Sequence, residues 1–546
     1  MRRTILKTGR SRQTLAALCL LLAAAPPAVP QTYAPGSFEL TPTVDLDLQP
    51  IPVHIPPRFQ ASLGDEPLTL NLPPGFTARV FAADGLFGPR LMAFGPTGVL
   101  HVANMRVPGE NRGQIVALPD HDKDGIADER LVVANGFRRI HSLAFFRGAL
   151  YAADNHQLVR LIDENGDGFY ESRHLVAPLP SADDIYEGRK PGDETPALVE
   201  DIHPTRTLVF DEHNEKIYVS VGSTCDLCRE RNPERAAVLQ FDLDGNNRRV
   251  FASGLRNAAG LALHPQTNEL WATVNGHDRE GRSLPPETVY IIRDGGFYGF
   301  PFAYAWQSLV DFSVPGYSAV PPLTADDLDL IATMPRPVAL APARLAPMAI
   351  HFYTGQRFPP RYRGAAFVVF RAGHNAAVPG WKVVALFSGH DGADAHLADF
   401  LTGLGSAQGV WGTPVGLAED AEGHLYVSTD FVHNAVLRIE APPRATAVAH
   451  PPLPADYALA QNRPNPFNTQ TAIAYRLPVA TDVRLSIYNA RGQVVRQLID
   501  AHAPTGYHEV IWHGRDDRGR VLASGLYFYR LQTPQGVLTR RLVLLK

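Results

Sequence analysis

Two loops place oxygen ligands at alternate positions ahead of a glycine. "DHDKDGIADE" offers Asp120, Asp122, Asp124 and Asp128, and "DENGDGFYE" offers Asp163, Asn165 and Asp167. A calcium-binding EF-hand loop begins this way but closes on a distal bidentate glutamate. Those closing positions are Leu131 and His174 here, so an Asp/Gly hairpin turn is the simpler expectation. His203, in "DIHPTRTL", carries an imidazole able to take a proton near neutrality, or simply caps a turn. Arg206 in the same stretch either faces a ligand or pairs within a sheet. Cys225 and Cys228 form a C-x-x-C in "GSTCDLC". A local disulfide suits such a pair in an exported chain, whereas zinc would want a second pair and a thioredoxin-like role would need that fold.

The elements that must position these groups read as short strands. Apolar runs of four to six residues recur at 77–82, 99–103, 114–117, 149–152, 157–162, 216–221, 237–242, 269–274, 367–370 and 425–429, bounded by Gly, Asp, Asn and Pro. No strand–helix alternation appears, which argues against Rossmann and TIM architectures. "SLAFFRGALYAAD", "TLVFDEHNEKIYVSV", "GLALHPQTNELWATV" and "GLAEDAEGHLYVSTD" share one plan: an apolar strand, a turn, an aromatic-centred strand. A unit repeated in this way predicts a β-propeller. Residues 441–461 are rich in Pro and Ala and read as a linker. Beyond them, cleanly alternating strands with "NARGQ" and "DDRGR" as turns predict a small β-sandwich.

Composition bounds the class. The 546 residues are 45% apolar and 19% charged, with a formal net charge of −4, which excludes a disordered chain and a generally basic nucleic-acid binder. Gly 45 and Pro 47, with no collagen period, fit a turn-rich all-β protein. The start has Arg2, Arg3, Lys7, Arg10 and Arg12, an apolar run at 15–25, then Pro26, Pro27 and Ala28. This describes a secretory signal peptide over 1–28, too short in its apolar part to span a bilayer. Residues 29–69 read as a linker or extended arm.

Residues 70–440 resemble the soluble quinoprotein sugar dehydrogenases, in the sorbosone and pyranose dehydrogenase branch. The stretches that carry this are "LPPGFTARVFA", "VALPDHDKDGIADE", "TRTLVFDEHNEKIYVSVGSTCDLC", "FASGLRNAAGLALHPQTNELWATVNGHDREG", "GGFYGFPF" and "FYTGQRFPPRYRGAAFVVF". The resemblance implies a six-bladed propeller that binds pyrroloquinoline quinone and calcium and oxidises a sugar, polyol or aldose. Hydride acceptance lies beyond any side chain, so a cofactor must supply it. His203 matches the catalytic histidine of the family. Arg256 and Asn257 match the pair that holds the quinone, a tricarboxylate suited to guanidinium forks. Arg206, Arg371 and Asn375 are further candidate cofactor contacts. The loop Asn275–Gly281 matches the segment whose carbonyls bind calcium, with Asp278 and Arg279 as the candidate ligands through their backbone oxygens. Related dehydrogenases also carry a cysteine pair at the Cys225 loop.

This chain departs from that family pattern in several places. It has His277 where Arg is usual, Arg344 where His is usual, "RAGHNA" at 371–376 for "HGSWNR", and Thr413 in "GTPVG" where an Arg is expected. These changes support a second reading, a non-catalytic extracellular propeller that binds glycan or protein. A lactonase-type hydrolase is a third, but its central set of carboxylate and Asn ligands cannot be assembled here. Residues 462–546 resemble a type IX secretion sorting domain of the FlgD-like Ig type, through "NRPNPFNTQTAIAYRLP", "VRLSIYNARGQVVRQL", "WHGRDDRGRVLASGLYFYRL" and "LVLLK". That resemblance implies an exported protein at the cell surface, passed by secretion machinery. The expected partners are a small sugar and an external electron acceptor, with no nucleic acid.

Overall fold

The computed structural model describes residues 33–64, 67–106, 112–181, 202–317, 320, 323–372, 376–406, 409–441, 457–503 and 506–545. The signal-peptide segment 1–28, Asn375 and most of the 441–461 linker lie outside the described residues. The chain divides into two compact units at residues 442/443. Among the described residues, no helix is long and apolar enough to cross a membrane.

The first unit is nearly all β. Six sheets of mostly antiparallel strands follow one another along the chain, with first strands Pro89–Phe94, Ser142–Phe146, Leu208–Asp211, Gly260–Leu263, Pro347–Phe352 and Gly412–Glu419. Each first strand touches the first strand of the next sheet, and the sixth touches the first, so the sheets close into a propeller-like ring. The sixth sheet is completed from the other end of the unit. Leu425–Glu440 passes through Val432 at φ 62, so that its first half pairs with Gly412–Glu419 and its second half with Thr77–Ala82.

Apolar clusters fill the gaps between consecutive sheets. Ile115, Phe137, Leu143, Leu150 and Val159 pack between the first and second. Leu208, Val219 and Phe241 meet Tyr151 and Leu158 between the second and third. A fully buried side chain of this kind contributes about 1.5–3 kcal/mol, and the same face-to-face burial repeats around the ring. Short hydroxyl side chains then staple neighbouring sheets at their inner ends. Ser142 Oγ donates to the Arg206 carbonyl at 2.7 Å, Thr207 Oγ1 to Ala259 at 2.6 Å, and Ser428 Oγ to Arg90 at 2.7 Å. These buried bonds fix the height of one sheet's edge against the next, which is what a site assembled from several sheets requires.

The arm before the ring is packed, not loose. Gln49–Pro52 pairs with Thr69–Leu72, and Leu46, Val53, Phe59, Leu63 and Leu68 join a core with Phe400, Leu401 and Leu437. An excursion between Glu287–Ile292 and Ala339–Ala341 in the fourth sheet carries the helix Ala325–Ala332, started by a Thr324/Asp327 capping box. That excursion brings Tyr304 and Tyr317 against the site described below.

The second unit has two sheets around one core. Ala458–Leu459, Thr471–Leu477 and Gly506–Trp512 form one; Val494–Ala503, Thr481–Asn489, Gly525–Thr533 and Gly536–Leu544 form the other. Ile473, Leu477, Leu485, Ile487, Trp512, Tyr529 and Leu542 fill the space between them. Thr471–Leu477 alternates buried and less buried positions as the sequence pattern predicts.

Candidate functional site

In an antiparallel pair, the start of one strand and the end of its partner lie at the same edge. Across the six sheets this edge collects Arg90, His141, His203, Arg206, Arg256, Asn257 and Arg344 at or before the first strands. It collects Ser223, Asn275, Arg371 and Asp430 at or after the ends of the second strands. The sequence-predicted groups that the structure describes therefore share one edge of the ring.

His203 and Asn257 sit against each other across Gly222. A Cβ at Gly222 would lie 2.5 Å from His203 Cβ and 2.9 Å from Asn257 Oδ1, so only glycine fits there. His203 Nδ1 lies 3.0 Å from the Ser223 carbonyl and 2.9 Å from Ser223 Oγ. Donation to that carbonyl fixes a tautomer in which Nε2 is the basic nitrogen. Burial, and then the nearby Arg256 charge, lower the His203 pKa to about 3, so the ring is neutral at pH 7. Asn257 is buried, with its Nδ2 donating to Asn275 Oδ1 at 3.2 Å and its Oδ1 accepting from Thr205 at 3.2 Å.

Arg256 is buried and held by a second layer that sequence reasoning missed. Its Nε donates to the Asp226 carbonyl and its Nη2 to Asp226 Oδ1, both at 2.8 Å, with Asp278 Oδ2 at 3.4 Å. Burial pushes the Asp226 carboxyl up, but Arg256, the Tyr317 hydroxyl and the Asp278 N–H together hold it below its usual value. Asp226 lies between Cys225 and Cys228, which are joined as a disulfide. The bridge thus closes the short loop that carries the Arg256 partner.

For Arg206 the described contacts match one of the two alternatives, pairing within the sheet. Its guanidinium is fully buried and donates to the carbonyls of His203 and Thr205 at 2.8 Å and of Pro180 at 2.7 Å. These bonds tie it to the backbone of His203 and Thr205.

The second cluster centres on Asp430. This buried carboxylate receives Arg90, Arg371 through Nε at 2.9 Å and Nη2 at 3.2 Å, and Thr413 Oγ1 at 2.6 Å, with Arg106 at 3.9 Å. Burial opposes ionisation, but Arg90 and Arg371 outweigh it and bring Asp430 down to about 2. Three guanidinium groups face one carboxylate, so this cluster carries surplus positive charge, and Arg371 remains 25% exposed. That surplus fits an anionic, carboxylate-bearing ligand. Asp430 closes the repeat "GLAEDAEGHLYVSTD" in the place where Asn275 follows "GLALHPQTNELWATV". That positional equivalence is the signal that could have found it.

The Asn275–Gly281 loop is gathered by an arginine. The oxygens that converge there are the carbonyls of His277, Gly281 and Leu284 and the Asp278 carboxylate, and all four accept from Arg344. Asp278 N–H donates to Asp226 and Arg279 N–H to Tyr317. Arg344 thus takes up oxygens of His277, Asp278, Gly281 and Leu284 that a cation would otherwise draw on, while the Asp278 and Arg279 backbone carbonyls are not among its acceptors. His277 is buried edge-on to Tyr304 and Tyr317, with Glu280 at 3.1 Å. Below the loop, Glu287 accepts from Gly276 N–H at 2.9 Å and Ala346 N–H at 3.2 Å, and burial raises its carboxyl to about 7.

The two acidic loops lie at the other edge of the sheets, between third and fourth strands. Asp120 accepts from the N–H groups of Asp124 and Gly125, and Asp163 from those of Gly166 and Gly168. Both are turns closed by their own backbone. A cleft of about 690 Å³ lined by His101, Phe145, Asp163 and Tyr170 also lies at that edge, whereas a cavity of about 30 Å³ adjoins Arg256, Asn275 and His277. Cavity size and concentrated chemistry do not coincide in this molecule, and we place the site by the side chains.

Comparisons with known proteins follow the same division. The family model described as TrAA12-like matches residues 70–439, and the FlgD Ig-like domain model matches residues 465–536. Among solved structures, the holo form of the pyranose dehydrogenase PQQ domain from Coprinopsis cinerea aligns with TM-score 0.53 at 20% identity, over 68% of this chain and 97% of that one. A calcium structure of the Trichoderma reesei Carbohydrate-Active Enzymes Family AA12 protein aligns with TM-score 0.53 at 20% identity, over 68% and 96%. An uncharacterized protein of Borreliella burgdorferi is 27% identical over 242 residues, 44% of this chain; the match spans about 60% of that curated relative's length.

Proposed function

Because the chain belongs to the TrAA12-like family of quinone-dependent sugar dehydrogenases and carries a FlgD Ig-like domain, we propose that it is an exported oxidoreductase acting on a sugar, polyol or aldose with pyrroloquinoline quinone. The six sheets are read as the blades of a six-bladed propeller, and the quinone is placed at the edge where His203, Arg256 and Asn257 converge. The observation that carries this reading is that convergence beside a surplus of guanidinium charge, which suits a tricarboxylate.

When bound, the quinone supplies the hydride acceptor that side chains lack. Arg256 and Arg371 would hold its carboxylates, and Asn257 would offer its amide to a polar edge. His203 takes the substrate hydroxyl proton at Nε2, with Ser223 keeping the ring in the required tautomer. Burial first, and the Arg256 charge second, hold His203 near 3, which makes it a weak base. A bound anion would offset the Arg256 part of that depression and leave the burial part in place. Electrons then pass to an external acceptor. The FlgD Ig-like unit is assigned to sorting by secretion machinery, and deleting residues 462–546 should retain the protein inside the cell envelope in fractionation.

The test is reconstitution of purified protein with quinone, read by bound-cofactor absorbance and by sugar-dependent dye reduction. Arg256→Ala should abolish binding. His203→Ala should leave binding intact and lower turnover at least about 100-fold. A second reading, an extracellular propeller that binds glycan or protein without catalysis, is favoured by one observation. Arg256 is already bonded to Asp226, with Asp278 within reach. Absence of quinone binding in the wild type would decide for it.

A further inference from the structure

We propose that Arg344 is the resident cation of the 277–284 loop, its guanidinium occupying the oxygen cage that would otherwise call for a divalent metal. Four hard oxygens converge on it, three from backbone carbonyls and one from a carboxylate. This is the donor type that calcium selects. A guanidinium has five N–H donors, and the cage matches them. Nε donates to Gly281 O at 3.1 Å, Nη1 to His277 O at 2.7 Å and Asp278 Oδ1 at 2.6 Å, and Nη2 to Gly281 O at 2.6 Å and Leu284 O at 3.3 Å. The cage closes around a planar, permanently charged group, with Arg344 only 10% exposed.

The backbone is arranged for the same purpose. Arg344 sits at φ 69 and Ala346 at φ 51, a left-handed region that residues other than glycine rarely occupy. Such strain persists where surrounding contacts over-determine it. Glu287 supplies one such constraint by accepting from Gly276 on one side of the cage and from Ala346 on the other. The sequence departures fall into place together. His277, where an arginine is usual, packs against Tyr304 and Tyr317, and Arg344 brings a guanidinium to the loop from across it. Through Asp278, which also approaches Arg256, the imported charge is tied to the predicted quinone pair. The positive character of this edge is then built into the chain and does not depend on available calcium.

The experiment uses the full chain carrying Asp122→Asn and Asp167→Asn, which silence the two acidic turns, with calcium chloride alone as the probe. Titration calorimetry and thermal unfolding are read without sugar or quinone, so the outcome is separate from that of the dehydrogenase reading. With Arg344 present, we expect no calcium binding and the same Tm in chelator and in millimolar calcium. Arg344→Gln should lower Tm by roughly 5 °C, bind one calcium, and regain most of the loss. Arg344→Lys, which keeps charge with fewer donors and serves where the Gln variant does not fold, should have a lower Tm that calcium leaves unchanged. The proposal is overturned by a calcium bound with Arg344 present and lost in Asp278→Asn. It is equally overturned by an Arg344→Gln protein that is as stable as its parent and gains no calcium, or by calcium stabilisation of Arg344→Lys.

Discussion

The two arginine clusters on the loop edge are built in opposite senses. Around Asp430, one buried carboxylate is the hub and three guanidinium groups surround it. Around Arg256 and Arg344, the cations are the hubs, and carboxylates and carbonyls of the 226 and 277–284 loops surround them. The first arrangement leaves positive charge unspent and directed outward. The second engages its cations with carboxylates and carbonyls of its own loops, Arg279 also meeting Asp226, and so holds two loops in place. The Asp430 cluster has charge to spare for an anion, whereas Arg256 would meet one while also keeping its loop partners beside His203 and Asn257.

The largest expected effect follows from the buried hub. Asp430→Asn strands Arg90 in the interior and should cost about 3–5 kcal/mol in urea unfolding. Asp278→Asn, at a carboxylate 65% exposed, should cost less than about 1 kcal/mol. Equal losses at the two positions would erase the distinction between the clusters. Next, Arg371→Ala should weaken quinone binding by roughly tenfold while Arg90 keeps Asp430 paired. An unchanged affinity would move the anion away from this cluster.

A third effect lies in pH dependence. The Glu287 carboxyl is raised to about 7 by burial, so its contribution is full below the free value near 4.5 and is lost as pH rises through 7. Glu287→Gln should remove that decline, worth roughly 1–3 kcal/mol, from stability measured across this window. His203 acts in the other direction. Its folded pKa near 3 makes stability fall as pH drops from about 6.5 toward 3, and His203→Gln should remove that fall. The smallest effect belongs to the inter-sheet staples. Thr207→Val removes the hydroxyl that binds the Ala259 carbonyl and should cost about 1 kcal/mol, equally in both clusters' surroundings. A loss confined to quinone binding would mean that the staple serves the site and not the ring.

Local pattern made much of the architecture legible. The runs at 77–82, 157–162, 216–221 and 237–242 are strands with the same limits in the structure. The four repeats are each a first strand with its antiparallel partner. The arm at 33–69 was harder to read, because its burial comes from Phe400, Leu401 and Leu437, more than 300 residues away. His203, Arg256 and Asn257 were named through their motifs, and the structure brings them together. Asp226, Asp430 and Tyr317 were missed, because an isolated Asp or Tyr in a loop looks the same whether or not an arginine from another sheet meets it.

The sequence by itself determined where strands start and stop, how they repeat, and which residue types stand at the ends of each repeat, since these depend on neighbours along the chain. Only the tertiary structure decided which charges meet. Arg344 and Asp278 are 66 residues apart, and Arg90 and Asp430 are 340 apart. Arg206 meets the Pro180 carbonyl, 26 residues away along the chain. Electrostatic partnership depends on distance in space and on burial, and neither quantity exists until the ring has closed.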